Sequence, residues 1–217
     1  MEQFFKDAAE FFPILLQGAK LTVIVAIGSL LLSTVLGLVW ALMRVSGITI
    51  LEKVSAGIIN VLRGIPIIVL LFYIYFVMPD FGISLSAVQA AIIGLGVAYS
   101  AYQAENFRAG IQAIDRGQIE AAMSMGMSWS MTMRRVVLPQ AVKIVLPPYG
   151  NIMIMMLKDS SQASTITVAE LALQGKLIAM SSFKNATVFS LVALMYLVMC
   201  VPLILFVRHL EKRNASK

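Results

Sequence analysis

Charge is scarce in this chain. Asp, Glu, Lys and Arg make up 13% of its 217 residues, where a soluble domain carries roughly a quarter. With 59% hydrophobic residues, that scarcity excludes a soluble globular protein and leaves an integral membrane protein. There is one cysteine, Cys200, inside an apolar run, so neither an intrachain disulfide nor a cysteine metal cluster can form. There is one histidine, His209, at the end of the last apolar run, where it reads as an interfacial residue. No catalytic triad can be built on it, and no metal site is expected. G-x-x-x-x-G-K-[ST] and the dinucleotide fingerprint are both missing, so the chain is not expected to hydrolyse ATP itself or to carry a cofactor. The opening MEQFFKDAAEFF lacks a basic stretch, so no cleaved signal peptide is expected. Internal repeats, low-complexity tracts and linkers are absent too, which leaves a single domain over residues 1–217.

Long apolar runs are present. A spanning helix needs about 20 apolar residues. Leu21–Met43, Leu85–Ala104 and Ala186–Val207 satisfy this without a charge until their ends. Two further runs, Ile65–Met78 and Ile144–Leu157, are shorter and carry proline: Pro66 at the start of the first, Pro147 and Pro148 within the second. Each becomes long enough if its flank dips into the bilayer against neighbouring helices. Irregular backbone is tolerated there only when buried in protein or facing a cavity, and such broken spans often point to a substrate path. The pattern predicts an all-α membrane protein with five transmembrane helices, at about 15–43, 54–78, 85–107, 141–160 and 186–208.

The formal net charge is +6. Without a basic stripe interleaved with aromatics, that excess reports topology rather than nucleic acid. With the N-terminus outside, twelve Lys and Arg fall on the inner side and five on the outer side. The positive-inside rule therefore predicts N-out, C-in.

The connection at about 109–140 is the longest stretch without a membrane-length run. Asp115 and Gln118 can form a capping box. A helix follows through Met125, Gly126 can take the left-handed turn that ends it, and Ser128 can cap a second helix, Trp129 to Val137, stopped by Pro139. Ile119, Ala122, Met123 and Gly126 share one face of the first helix. Glu120 and Arg116 share the other. On pattern alone this is either an amphipathic helix lying on the membrane surface or a docking element for a partner outside the bilayer.

The spacing Glu120-Ala121-Ala122, Gly126, Leu138-Pro139 resembles the cytoplasmic docking loop of ABC importer permeases. Short matches continue along about residues 15–213 and resemble the polar amino acid branch of that family. They are Thr22, Arg63-Gly64-Ile65-Pro66, Ala101-Tyr102 through Glu105, Arg108 and Gly110-Ile111, Gly117-Gln118-Ile119-Glu120-Ala121-Ala122, Leu138-Pro139-Gln140-Ala141, Pro147-Pro148 and Lys158-Asp159-Ser160-Ser161. The resemblance implies a type I ABC importer permease fold with cytoplasmic coupling helices, in a bacterial inner membrane. Its implied partners are two copies of an ABC ATPase holding ATP and Mg, a second permease that is identical or homologous, and an external solute-binding protein. The implied ATPase-docking residues are Gly117, Gln118, Glu120, Ala121, Ala122, Gly126, Leu138 and Pro139, with Glu105 and Arg108 linking span and docking helix. The implied cargo is an amino acid or a related zwitterion. Ser160 and Gln162 depart from the Lys-Asp-Thr-Ser-Leu common in the family, which leaves room for an opine or an ectoine-like molecule.

Lys158-Asp159-Ser160-Ser161-Gln162 is the densest polar cluster beside an apolar run. Ionisable residues at membrane depth are costly and usually face a cavity or a partner. A carboxylate at Asp159 and donors at Ser160, Ser161 and Gln162 suit a zwitterion, with Tyr99 as a further candidate. The alternative is that Lys158 already lies at the outer interface and snorkels. A self-sufficient secondary transporter or channel predicts carboxylates inside the clean spans, which carry none. A membrane scaffold without transport is the third class.

Overall fold

The structure is a computed structural model, and it describes residues 2–215. Among the described residues there is no strand, and nine α-helices follow in order. This is what lipid demands of a segment that must satisfy its own backbone. The helices are α1 (Glu2–Arg44), α2 (Thr49–Gly64), α3 (Ile67–Phe72), α4 (Ala87–Gln112), α5 (Arg116–Ser124), α6 (Trp129–Thr132), α7 (Leu138–Asp159), α8 (Leu171–Ser182) and α9 (Asn185–Ala215).

α1 starts well before the expected residue 15 and has 43 residues, about 64 Å at 1.5 Å per residue. The early charges that lower the hydropathy of residues 2–14 do not break the helix, because part of them is paired. Lys184 Nζ, just before α9, meets Asp7 Oδ1 at 2.7 Å and lies 5.7 Å from the centre of the Phe11 ring. By length and composition α1, over Phe4–Arg44, and α9, over Asn185–Lys212, can each cross a membrane. The pair α2 and Ile67–Phe81 adds a third span if counted as one, although it bends by 98°. α4 and α7 have 26 and 22 residues, enough length, but polar residues such as Ser100 and Gln103 lower their apolarity. Those two side chains are fully buried in the bundle.

The bend changes the expected span at 54–78. Residues 54–64 belong to α2, an amphipathic helix whose Ser55 and Ile59 are buried, and the apolar run starts anew in another direction. Pro66 is the cause. Its ring disfavours helical backbone at the residue before it, and Ile65 is extended, with φ −97° and ψ 128°. After α3 the chain continues through a π turn, Tyr73–Val77, and a 3-10 turn, Met78–Phe81.

α1 and α4 form the most extensive packing. Within lipid, helices associate through close backbone approach and hydrogen bonds rather than through apolar burial. At Gly37 an added Cβ would lie 2.6 Å from Gln103 Cβ and 3.0 Å from the Ser100 carbonyl, so only glycine permits this contact. Beside it Trp40 Nε1 donates to Ser100 Oγ at 3.3 Å, and Ser55 Oγ of α2 donates to the Trp40 carbonyl at 2.8 Å. One core gathers Val25, Leu71, Leu95, Tyr99, Met156 and Ile166 from α1, α3, α4, α7 and the segment after it. A second gathers Phe11, Leu15, Leu171, Ile178 and Val188 where α1, α8 and α9 meet.

Candidate functional site: a capped loop and a carboxylate–tyrosine pair

The loop between α4 and α7 is built by its caps. Asp115 accepts from the Gln118 N–H at 3.2 Å and starts α5. The reciprocal half of the expected capping box is replaced. The Gln118 side chain accepts from Gln140 Nε2 at 2.7 Å, and Gln140 also donates to the Val136 carbonyl. Gln118 therefore ties α5 to the first turn of α7. Gly126 ends the α5 segment at φ +83°, with nothing within 4 Å of where a Cβ would sit. Ser128 accepts from the Met131 N–H at 3.3 Å and starts α6.

Pro139 does not stop the second helix. α6 passes through a π turn, Met133–Val137, directly into α7, and Pro139 sits in the first turn of α7. A proline inside a helix lacks one N–H and crowds the carbonyl four residues back. The wider turn, in which the Leu138 N–H donates to the Met133 carbonyl, lets the chain carry it.

Not all of the implied docking residues lie at the surface. Ala122 is 7% exposed and Ile119 half-buried, because this side of α5 lies toward α6 and the π turn. Gly117, Glu120, Ala121, Gly126, Leu138 and Pro139 are exposed, as are Met123, Met125 at 84% and Trp129 at 59%. The Ala122 side chain thus serves the loop's own packing, and the free surface runs along Glu120, Ala121, Met123, Met125 and the Gly126 turn.

Glu105 and Arg108 form a two-pronged pair, with Arg108 Nη2 and Nε at 2.6 and 3.1 Å from Glu105 Oε2. Arg108 Nη1 also donates to Gln112 Oε1. All three residues lie on α4, so the pair stiffens the end of that helix and does not reach α5 as expected. Arg44 and Arg63, at the ends of α1 and α2, act on the same carboxylate, and Arg63 lies over the Tyr102 ring at 5.7 Å.

At the other end of α7, residues sixty positions apart meet. Tyr99 Oη donates to Asp159 Oδ2 at 2.5 Å. Tyr99 is 2% exposed and Asp159 half-buried. Ser160 is fully buried, and its hydroxyl donates to the Leu157 carbonyl at 2.8 Å. It is occupied by its own helix end and is not a free donor, contrary to expectation. Ser161 and Gln162 are half-buried on the 3-10 segment Ser160–Ile166, and Lys158 points to the exterior. Further along, Thr167, at φ 68°, shares a hydrogen bond with Tyr75 at 3.3 Å.

Glu170 is a residue that sequence reasoning missed. It is fully buried and caps α8, accepting from the N–H groups of Ala172 and Leu173 at 2.9 Å each. It also accepts from Tyr196 Oη of α9 at 2.8 Å and from Thr22 Oγ1 of α1 at 3.3 Å. Burial pushes its carboxyl above the ordinary range, against the pull of these donors. Glutamate is not among the usual N-cap residues, so only its position as a lone acid in an apolar stretch signals it.

The sequence and the fold agree with one family. The model for "Binding-protein-dependent transport system inner membrane component" matches residues 12–216. The chain belongs to that family. The permease is 40% identical over 210 residues to Probable amino-acid ABC transporter permease protein YckA of Bacillus subtilis (strain 168), covering 97% of this chain and 93% of YckA. It is 37% identical over 202 residues to Probable glutamine ABC transporter permease protein GlnM of the same organism, covering 93% and 94%. A solved structure described as an amino acid ABC transporter with histidines superposes with a TM-score of 0.89 at 36% identity, over 96% of the permease and 98% of that chain. The permease is thus a type I ABC importer permease of the polar amino acid branch, a membrane-integral transport component.

Proposed function

We propose that the permease is the transmembrane subunit of an ATP-driven importer of an amino acid or related zwitterion, coupled through the α5–α6 loop to a separate ATPase. The exposed Gly126 turn between two capped helices carries this reading. It is a preformed knob, held by its own backbone hydrogen bonds, with nothing among the described residues within 4 Å of where a Gly126 Cβ would sit. The names of the relatives, amino-acid and glutamine permeases, support the cargo class. The distribution of Lys and Arg supports an outer N-terminus and an inner loop. The assembly that fits is two ATPases, two permeases, identical or homologous, and an external binding protein. Tyr99 and Asp159 supply a polar pair at membrane depth, with Asp159 accepting from a substrate ammonium and Ser161 and Gln162 donating to its carboxylate.

Proteoliposomes holding the co-purified permease and ATPase, with loaded binding protein, test this. Uptake of labelled glutamine or another amino acid should require ATP and binding protein. Uptake by the permease alone, driven by an ion gradient, would establish a self-sufficient transporter and sink the proposal.

A further inference from the structure

Arg134 and Arg135 lie on the π turn between α6 and α7, and both line one exposed pocket of about 420 Å³ with Ser128, Ser130 and Met131. A wider helical turn reduces the angle between successive side chains, so two neighbouring arginines can share a pocket that an α-turn would spread apart. Two guanidinium groups side by side repel until an anion joins them. Among the described residues no ion pair or hydrogen bond to either guanidinium is present. Ser128 Oγ accepts from the Met131 N–H, which leaves its own proton to donate. π turns are frequent at functional positions.

We infer that this pocket receives a carboxylate side chain of the ATPase subunit, giving the loop a second anchor beside the Gly126 turn. The inference rests on the docking reading above and deepens it. Depth decides between a protein carboxylate and a lipid phosphate. Measured from the span expected from the sequence at about residue 141, Arg134 and Arg135 lie about 9–10.5 Å beyond the apolar layer at 1.5 Å per residue. The headgroup layer is roughly 5–8 Å deep on each side, so the pocket sits below the phosphates. Its surroundings fit a protein. Met131, 41% exposed, lines the pocket, and Trp129 and Met125 are exposed on the same loop at 59% and 84%; apolar surface of this kind, once covered by a protein, removes water from a charge pair and strengthens it. Arginine's planar fork matches a carboxylate on both oxygens.

The test uses the permease with the ATPase that co-purifies with it from its own membrane. R134Q/R135Q should weaken binding about tenfold or more at low salt, with a flatter salt dependence. R134K/R135K keeps the charge without the fork and should recover part of the loss. R135K treated with a carbodiimide should couple its amine to an Asp or Glu of the ATPase, located by mass spectrometry. Unchanged affinity and salt dependence in R134Q/R135Q overturns this inference while wild-type co-purification leaves the docking reading standing. Normal ATPase binding with a loss of binding to phosphatidylglycerol vesicles overturns it in favour of lipid. If the wild-type permease binds no ATPase, both readings fail together.

Discussion

Replacing Gly126 separates docking geometry from folding more cleanly than any other change in this chain. Its φ of +83° lies in the left-handed region, and a Cβ there meets nothing within 4 Å. The cost of a side chain is therefore conformational rather than steric contact with neighbours. For an ordinary L-residue it is about 1–2 kcal/mol, and a β-branched one lies at the upper end. A cost of that size lowers the ratio of native to alternative turns by roughly 5–30-fold, and the apparent affinity for a partner that needs the turn falls by up to the same factor. Asn is tolerated in left-handed backbone. The expected order of ATPase affinity is therefore Gly126, then G126N, G126A and G126V, with the weakest about 30-fold down. The assay is titration of the ATPase onto the permease in nanodiscs, with binding-protein-stimulated ATP hydrolysis as a second readout. Thermal stability of the permease should stay nearly constant, because the position is exposed. Wild-type affinity in G126V, or equal loss in G126N and G126V, would refute the reasoning.

Three further outcomes are expected. D159N keeps the size of the side chain but removes its charge. Uptake should fall while loaded binding protein still stimulates ATP hydrolysis, and wild-type uptake would move the site to Ser161 and Gln162. Replacing Glu170 by alanine strands the Tyr196 hydroxyl and two N–H groups of α8, while Thr22 keeps its contacts to Gly18 and Leu171. Each buried unpaired group costs about 1–3 kcal/mol, so the melting temperature of the purified permease should drop by several degrees, less for E170Q; an unchanged melt removes Glu170 as a clamp. A cysteine at Ser130 should be labelled by an impermeant reagent only from the cytoplasm and one at Ser84 only from outside. The reverse pattern overturns the orientation.

The all-helical membrane fold was legible because lipid allows so few alternatives, and the loop was legible because its caps follow local rules. Asp115, Gly126 and Ser128 act within three residues of themselves, which a sequence shows directly. The misses are non-local. Gln118 pairs with Gln140, twenty-two residues on, instead of closing its own box. Pro139 signals a stop, yet the π turn before it absorbs the crowding and joins α6 to α7. α8 was invisible as an element because its cap is an unusual residue whose other partners come from α1 and α9. Asp159 and Tyr99 were each singled out, but no spacing rule could bring them together across sixty positions. Ser160 could not be told from Ser161 because the fate of a hydroxyl, turned inward to Leu157 in one case, depends on the helix end rather than on composition.

α7 gives the two candidate regions one mechanical element. It has 22 residues, about 33 Å at 1.5 Å per residue, with the π turn and Gln118–Gln140 contact at one end and Asp159 at the other. A helix of that length transmits displacement along its axis unless it bends. Pro147 and Pro148 lie in its middle, where kinks occur. The next residue, Tyr149, is held from both sides by the Thr34 hydroxyl at 2.9 Å and the stacked Phe107 ring at 6.4 Å. Beyond Asp159 the chain is fastened again, by Thr167 to Tyr75 and by Glu170 to α1 and α9. On the proposed coupling, movement of the loop passes along α7 to Asp159, which meets Tyr99 of α4, a helix packed along both α1 and α7. On that coupling the hydrogen bond between Tyr99 and Asp159, rather than the buried Ser160, is the contact across which such a shift acts.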